Sequence, residues 1–387
     1  MRKMQMRIVV LEPNVCVMAG MVRLAYMMAD VFKGLGHKVK VVGRVHGEIV
    51  TTIPVEALAG KATAVGGKHI QFREGLVQKH FDVKDLRLYQ PVRHLTPSDV
   101  LLRKIPVCHP FMYFADDVRT MTCRADVMWT GSEIYVKLPE ILPGVEKKQI
   151  QYVHWPLTTL KPVKDHEPRM IWANSLYTQK HIKDVWGLTS EVVYPPTYCD
   201  LYANKNEFDE RPFDVVLLGR LDASKMESVM PALKNFKVAV VGSAYGYEKD
   251  LPSWVTLYKN ATMKEVANVL GQSKVYVHGK GFGKYGGGRQ SEPEHFGQTI
   301  VEAMASGCVP IVPNMGGPIE IVGAGEQHGY LFSSMEKLRR TVTFLTREGV
   351  KDIWTEMSEA AVKRAHDFDV SVVSKQVEGL LKKMGEG

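Results

Sequence analysis

Cysteine is scarce and unorganised in this chain of 387 residues. The five, at positions 16, 108, 123, 199 and 308, are odd in number and scattered, with no Cys-x-x-Cys pair. That excludes a disulfide framework and a thiolate metal site, and reads as reduced thiols. Long apolar runs are also missing. The longest uncharged stretch, Ala303 to Ile319, holds three prolines and a Gly-Gly pair and cannot be a membrane helix. The apolar run after Arg2, Lys3 and Arg7 stops at Glu12, too short for a signal peptide. The expected location is cytoplasmic, with peripheral attachment to a membrane left open. No Gly-Lys-Ser/Thr occurs, which excludes a P-loop. Gly279, Gly281 and Gly283 follow an apolar run, but Gly286 to Gly288 stand where a dinucleotide-binding helix would begin, so an NAD fingerprint is excluded too. A mobile basic loop carrying Lys280, Lys284 and Arg289 beside a ligand site is expected there; a disordered surface loop without a role is the alternative.

Positive charge is present in excess but unevenly. Of the net +8, residues 1–199 supply a balance of +9 (27 Lys/Arg against 18 Asp/Glu) and residues 200–387 a balance of −1 (23 against 24). A basic first half suits an anionic membrane surface, a phosphorylated lipid or nucleic acid. A soluble domain of high pI without an anionic partner fits equally.

Short β-branched apolar runs alternate with helical stretches in both halves. They are Met6–Leu11, Val39–Val45, Asp126–Thr130 and Gln149–His154, then Val215–Gly219, Val238–Gly242, Val275–His278 and Val309–Val312. The pattern predicts an α/β protein with two Rossmann-like, doubly wound domains, whose ligands sit at the carboxyl ends of the strands. Tyr194-Pro195-Pro196-Thr197 marks the joint, because paired prolines stiffen a linker and stop helix formation.

The most informative run is Glu294-His295-Phe296-Gly297-Gln298-Thr299-Ile300-Val301-Glu302, continuing Ala303-Met304-Ala305-Ser306-Gly307. It predicts a loop, a helix opening at about Gly297, a glycine stop at Gly307 and a buried strand. Glu294 precedes the helix and Glu302 lies on its second turn. The helix N-terminus between them offers N–H groups to a phosphate. One carboxylate can hold sugar hydroxyls and the other a ribose, with a pyrophosphate between; surface acids at a helix start are the plainer reading.

This run, followed by Gly316-Gly317-Pro318 and Glu320, closely resembles the Glu-x7-Glu signature of the retaining GT-B glycosyltransferases, family 4. Its wording is nearest the branch of lipid-linked oligosaccharide α-1,2-mannosyltransferases. The resemblance implies a GT-B fold, two Rossmann-like domains facing a cleft. Residues 1–197 would form the acceptor-side domain, residues 198–365 the nucleotide-sugar domain, and a last helix at about 366–387 would return to the first. It also implies that Glu294 binds sugar hydroxyls and Glu302 the ribose, and that Phe296, Gly297, Gln298 and Thr299 present the sugar- and phosphate-binding region. Arg220 and Lys225 resemble the family's phosphate clamp. His154, in Tyr152-Val153-His154-Trp155-Pro156, resembles its histidine near the transferred sugar. Gly20 stands where the family has a glycine pair, here Ala19-Gly20. His278 and Lys280 are candidates near the base or phosphates. Glu320 reads equally as a ligand or as an acid at a helix start.

The implied reaction moves a hexose, from a donor of the UDP-glucose or GDP-mannose kind, to an acceptor hydroxyl with retention. His154, Arg220, Lys225 and Glu294 form the catalytic set. Attack is front-face, so no nucleophile is assigned. No cofactor or metal is expected, because neither an Asp-x-Asp pair nor a His/Cys ligand cluster is picked out in the sequence. The expected acceptor is lipid-linked or otherwise membrane-associated. The rival readings are transfer to nucleic acid or protein, and a catalytically silent nucleotide-sugar-binding protein. Nucleic acid ranks lower because aromatics do not interleave with Arg and Lys. Sugar, base and oligomeric state are not legible.

Overall fold

The structure is a computed structural model describing residues 5–12, 20–44, 124–140, 142–156, 161–204, 206–242 and 247–386, with the backbone of three short strands at 63–65, 68–70 and 86–89. It divides into two compact units. The first comprises residues 1–174, 178–196 and 374–387, and the second residues 175–177 and 197–373.

In the first unit, strands β1 (Arg7–Glu12), β2 (Lys38–Arg44), β5 (Leu86–Tyr89), β6 (Val127–Thr130), β7 (Gln149–Val153), β8 (Met170–Ala173) and β9 (Glu191–Val192) form a parallel sheet. Its order is β5-β2-β1-β6-β7-β8-β9. A two-stranded antiparallel pair, β3 (Thr63–Val65) with β4 (Lys68–Ile70), lies apart from it. β6 and β7 are buried at every position, as expected of parallel strands covered on both faces. β8 and β9 were not among the expected strands; they are short, and apolar runs of that length carry little periodicity. Helix Gly20–Gly34 follows β1 and buries Leu24, Met27, Met28, Val31 and Phe32. From Ser374 onward the last helix, Val370–Glu386, groups with this unit, where Gln376 Nε2 donates to the Val192 carbonyl at 2.6 Å.

In the second unit, β10 (Phe213–Leu218), β11 (Val238–Gly242), β12 (Val255–Lys259), β13 (Ser273–Val277), β16 (Val309–Pro313) and β17 (Tyr330–Phe332) form a second parallel sheet, in the order β12-β11-β10-β13-β16-β17. By position along the unit this is 3-2-1-4-5-6, the order of a dinucleotide-binding doubly wound sheet. The direction of winding reverses between β10 and β13, and ligands of such sheets bind beyond the carboxyl ends of those strands. Val215, Leu217, Val240, Val275, Val277, Val309 and Ile311 build the core with Leu338, Val342 and Trp354 of the covering helices.

The glycine-rich stretch is ordered. β14 (Lys284–Tyr285) pairs antiparallel with β15 (Arg289–Gln290), a hairpin turned by Gly286 to Gly288. The Gly286 amide donates to Glu227 at 3.0 Å, and Arg289 lies over the Tyr285 ring at 5.2 Å. The expected basic loop takes the form of a hairpin: three consecutive glycines at positive φ make the turn, and Glu227 accepts the amide of the first.

Candidate functional site

The run at Glu294 folds nearly as its pattern requires. Residues 291–297 form a loop, and helix Gln298–Ala305 opens behind Gly297, whose φ of 108° is left-handed and unfavourable for any side chain. Gly307, also at positive φ, ends the helix, and β16 follows. Glu302 is 1% exposed on the second helical turn. Phe296 points into the core against Phe368, with ring centres 5.6 Å apart, so only its backbone is available to a ligand.

Two elements converge on Glu294. Lys225, on the short helix Ala223–Met226 after β10, brings its Nζ to 3.7 Å from Glu294 Oε2. His278, directly after β13, brings Nε2 to 3.6 Å from the same oxygen. Burial raises the Glu294 carboxyl, but Lys225, His278 and His295 outweigh it and hold the group well below the usual carboxylate range. Burial lowers the His278 pKa against the pull of Glu294, so its ring is neutral at physiological pH. The arrangement is an ionised acid beside a cation at the reversal point of the sheet.

The remaining candidates divide. Thr299, in the first helical turn, is engaged through Oγ1 with the Tyr276 hydroxyl at 2.8 Å. Arg220 follows β10 but approaches Asp222 at 3.5 Å, with half its side chain exposed. Glu320, in the first turn of helix Pro318–Val322, accepts the backbone amides of Leu176 (2.9 Å) and Tyr177 (3.3 Å) at the start of helix Leu176–Trp186. In the first unit, Gly20 opens the helix after β1, whereas its neighbour Ala19 lies outside the described residues. Cys16, Cys108 and Cys123 also lie outside them.

His154 stands at the end of β7, and its position depends on a residue the sequence reading did not name. Glu133, buried after β6, accepts the amides of His154 (2.6 Å) and Trp155 (2.7 Å). Burial pushes its carboxyl up to about 7, although the amides of Trp155, Glu133 and His154 pull it down. Gln149 and Gln151 reinforce the turn. Gln149 Nε2 donates to the Tyr135 carbonyl at 3.0 Å, and Gln151 Nε2 to Ser132 at 2.9 Å. Two buried glutamines at i and i+2 on one strand were a visible signal of a polar face; nothing in the sequence marked Glu133.

The loop Glu294–Gly297 rests against a second backbone segment. The Gly317 amide donates to the Glu294 carbonyl at 2.9 Å. A Cβ on Gly317 would lie 2.0 Å from the His295 carbonyl oxygen, and one on Gly316 would lie 2.4 Å from that of Glu294. The two glycines are therefore required by close approach.

The chain also contains an Asp-x-Asp spacing that the sequence reading passed over, Asp367-Phe368-Asp369. Its acids serve structure. Asp367 pairs with Arg364 at 2.8 Å, and Asp369 accepts the amides of Cys199 (3.3 Å) and Ser371 (2.9 Å). Cys199, His366 and Asp369 do gather within 4.8 Å of one another. However, burial and Asp369 push the Cys199 thiol up to about 12, and its Sγ donates to the Ala365 carbonyl at 3.4 Å. In this structure the thiol therefore serves as a hydrogen-bond donor.

The two sheets define the fold class, which is that of the GT-B glycosyltransferases. HepE from Anabaena, solved with UDP and glucose, superposes with a TM-score of 0.71 at 16% identity over 98% of this chain and 100% of that one. Sucrose-phosphate synthase from Thermosynechococcus elongatus gives 0.69 at 12% identity over 99% and 100%. Residues 201–365, most of the second unit, match the sequence profile described as "Glycosyl transferases group 1". In sequence the chain is 24% identical over 255 residues to human GDP-Man:Man(3)GlcNAc(2)-PP-Dol alpha-1,2-mannosyltransferase, covering 55% of this chain and 49% of that protein. The match thus spans about half the length of that relative. Among the described residues no helix is long and apolar enough to cross a membrane.

Proposed function

We propose that this protein is a retaining glycosyltransferase that moves a hexose from a UDP- or GDP-sugar to a hydroxyl of a lipid-linked or membrane-associated glycan. The observation that carries the reading is the meeting of Glu294, Lys225 and His278 beyond β10 and β13 in a group 1 glycosyltransferase domain. Glu294, held ionised, accepts hydrogen bonds from sugar hydroxyls. Lys225, with Arg220 and the amides of the first turn of helix Gln298–Ala305, stabilises the leaving diphosphate. That positive array supports departure of the diphosphate without a metal. Glu302, buried one and a half turns along the helix, takes the ribose hydroxyls. His154 is assigned, by the family resemblance, to the transferred sugar. The acceptor hydroxyl attacks on the face the diphosphate leaves, giving its proton to a donor phosphate oxygen.

Support for a lipid-linked acceptor comes from the basic excess of +9 in residues 1–199 and from the dolichol-linked substrate in the human relative's name. The base is open between two precedents, the GDP-mannose of that relative and the UDP of the HepE complex. The test is slow donor hydrolysis across a panel of UDP- and GDP-sugars, with Glu294→Gln beside the wild type. Release of one nucleotide from one sugar, lost in the variant, is expected. No release from any donor, with no thermal shift by UDP or GDP, would overturn the reading in favour of a silent member of the fold.

A further inference from the structure

His278 was expected to touch the donor, but it is 3% exposed, with Tyr276 on one side of its ring and Glu294 on the other. Its Nδ1 lies 3.0 Å from the Tyr276 hydroxyl, and that hydroxyl lies 2.8 Å from Thr299 Oγ1. Its Nε2 is fully buried, has no hydrogen-bond partner within normal range, and faces Glu294 Oε2 at 3.6 Å. We propose that Thr299, Tyr276 and His278 form a one-way hydrogen-bond chain that presents an Nε2–H to Glu294, which makes His278 and Tyr276 positioning residues for that carboxylate. The proposal rests on the reading of Glu294 as the sugar-binding acid.

The direction of the chain follows from elementary constraints. A neutral imidazole carries one proton. On Nδ1 it would leave the Nε2 lone pair facing a carboxylate, two acceptors opposed in a buried site, which is costly. On Nε2, the ring donates towards Glu294 and Nδ1 accepts from the Tyr276 hydroxyl. The Tyr276 oxygen is then left to accept from Thr299. Every proton points towards Glu294. The neutrality that burial imposes on His278 agrees with this, and burial likewise raises the Tyr276 phenol, keeping it a donor. β13 supplies the geometry, because Tyr276 lies in it and His278 directly follows it, two residues apart along an extended chain. Thr299 sits in the first turn of helix Gln298–Ala305, so the chain also ties that helix start to the acid in front of it.

The experiment is long-range ¹⁵N–¹H correlation of the histidine rings in the whole protein, alongside donor kinetics for Tyr276→Phe, Thr299→Val and His278→Gln. The expected result is an Nε2–H tautomer for His278 in the wild type, lost in Tyr276→Phe. Tyr276→Phe should raise the donor KM about tenfold with kcat within about threefold, the size of one lost hydrogen bond to a charged network. Thr299→Val should act in the same direction and less. His278→Gln, which keeps an N–H donor of similar reach, should retain more activity than His278→Leu at equal thermal stability. An Nδ1–H tautomer in the wild type would overturn the proposal. So would an unchanged KM in Tyr276→Phe when Glu294→Gln is inactive. If Glu294→Gln turns over normally, the reading of the site fails instead, and the tautomer still decides whether the chain exists.

Discussion

The guanidinium of Arg211 donates to the carbonyl of Ser306 at 2.9 Å, placing a buried cation at the C-terminus of the helix that carries Glu302. The same side chain donates to Asn206 (3.0 Å) and Ser273 (2.8 Å) and lies over Trp354 at 5.0 Å. One charge therefore joins the start of β13, the end of the helix and the segment leading into β10. Arg211→Met should destabilise the second unit by about 3 kcal/mol or more, because three buried carbonyls lose their donor together. Denaturant unfolding measures this, and a loss below about 1 kcal/mol would contradict the role.

Glu133 gives a pH signature. Its folded carboxyl, pushed up to about 7 by burial, lies above the unfolded value. The fold thus favours the protonated form. The associated stability is complete below the unfolded pKa and is lost as pH rises through about 7. Glu133→Gln accepts the same amides without titrating. The melting temperature of the wild type relative to Glu133→Gln should therefore rise as pH falls from about 8 to about 5. A difference that stays flat over that window would refute the assignment.

Glu302→Gln should keep the fold, since the amide fills nearly the same buried volume. If the carboxylate takes two ribose hydroxyls, the donor KM should rise roughly 10- to 100-fold, the range for hydrogen bonds to a charged group. Competition by free UDP or GDP should weaken in parallel. Normal nucleotide affinity in a folded variant would show that Glu302 is merely buried.

Gly317→Ala should be far more damaging than Gly287→Ala. A Cβ at 317 meets the His295 carbonyl at 2.0 Å, whereas one at 287 meets nothing within 4 Å. Both variants are soluble candidates for the same thermal melt and donor assay. Gly317→Ala is expected to lose donor turnover by displacing Glu294, and Gly287→Ala to carry only a local backbone penalty at a turn of φ 83°. Equal behaviour would mean the close approach has no consequence.

Strand periodicity and glycine positions made the scaffold readable. β1, β2, β6, β7, β10, β11, β13 and β16 lie within a residue or two of the apolar runs, because parallel strands must be apolar on both faces. The helix at Gln298 and its stop at Gly307 were legible from single residues with strong backbone preferences. Other features were not. The basic loop proved a pinned hairpin because its anchors, Glu227 and the Ser224 carbonyl that receives Ser291 Oγ at 3.1 Å, are distant in sequence. Glu133 was invisible for the same reason: twenty-one residues separate it from His154. Tyr276 was readable in principle, from its two-residue spacing to His278, but a lone tyrosine in an apolar run reads first as core.

The back-to-back contact of Gly316-Gly317 with Glu294-His295 bears on how this scaffold diversifies. A wall built from two main chains offers selection no side chains to vary, so the acid's perch resists drift and a library randomised there yields mostly dead clones. The hairpin between Lys284 and Gln290 is largely exposed and held at its turn by Glu227, so the side chains on its arms accept change at little cost. Sequence variation should accumulate on that arm while the perch stays fixed.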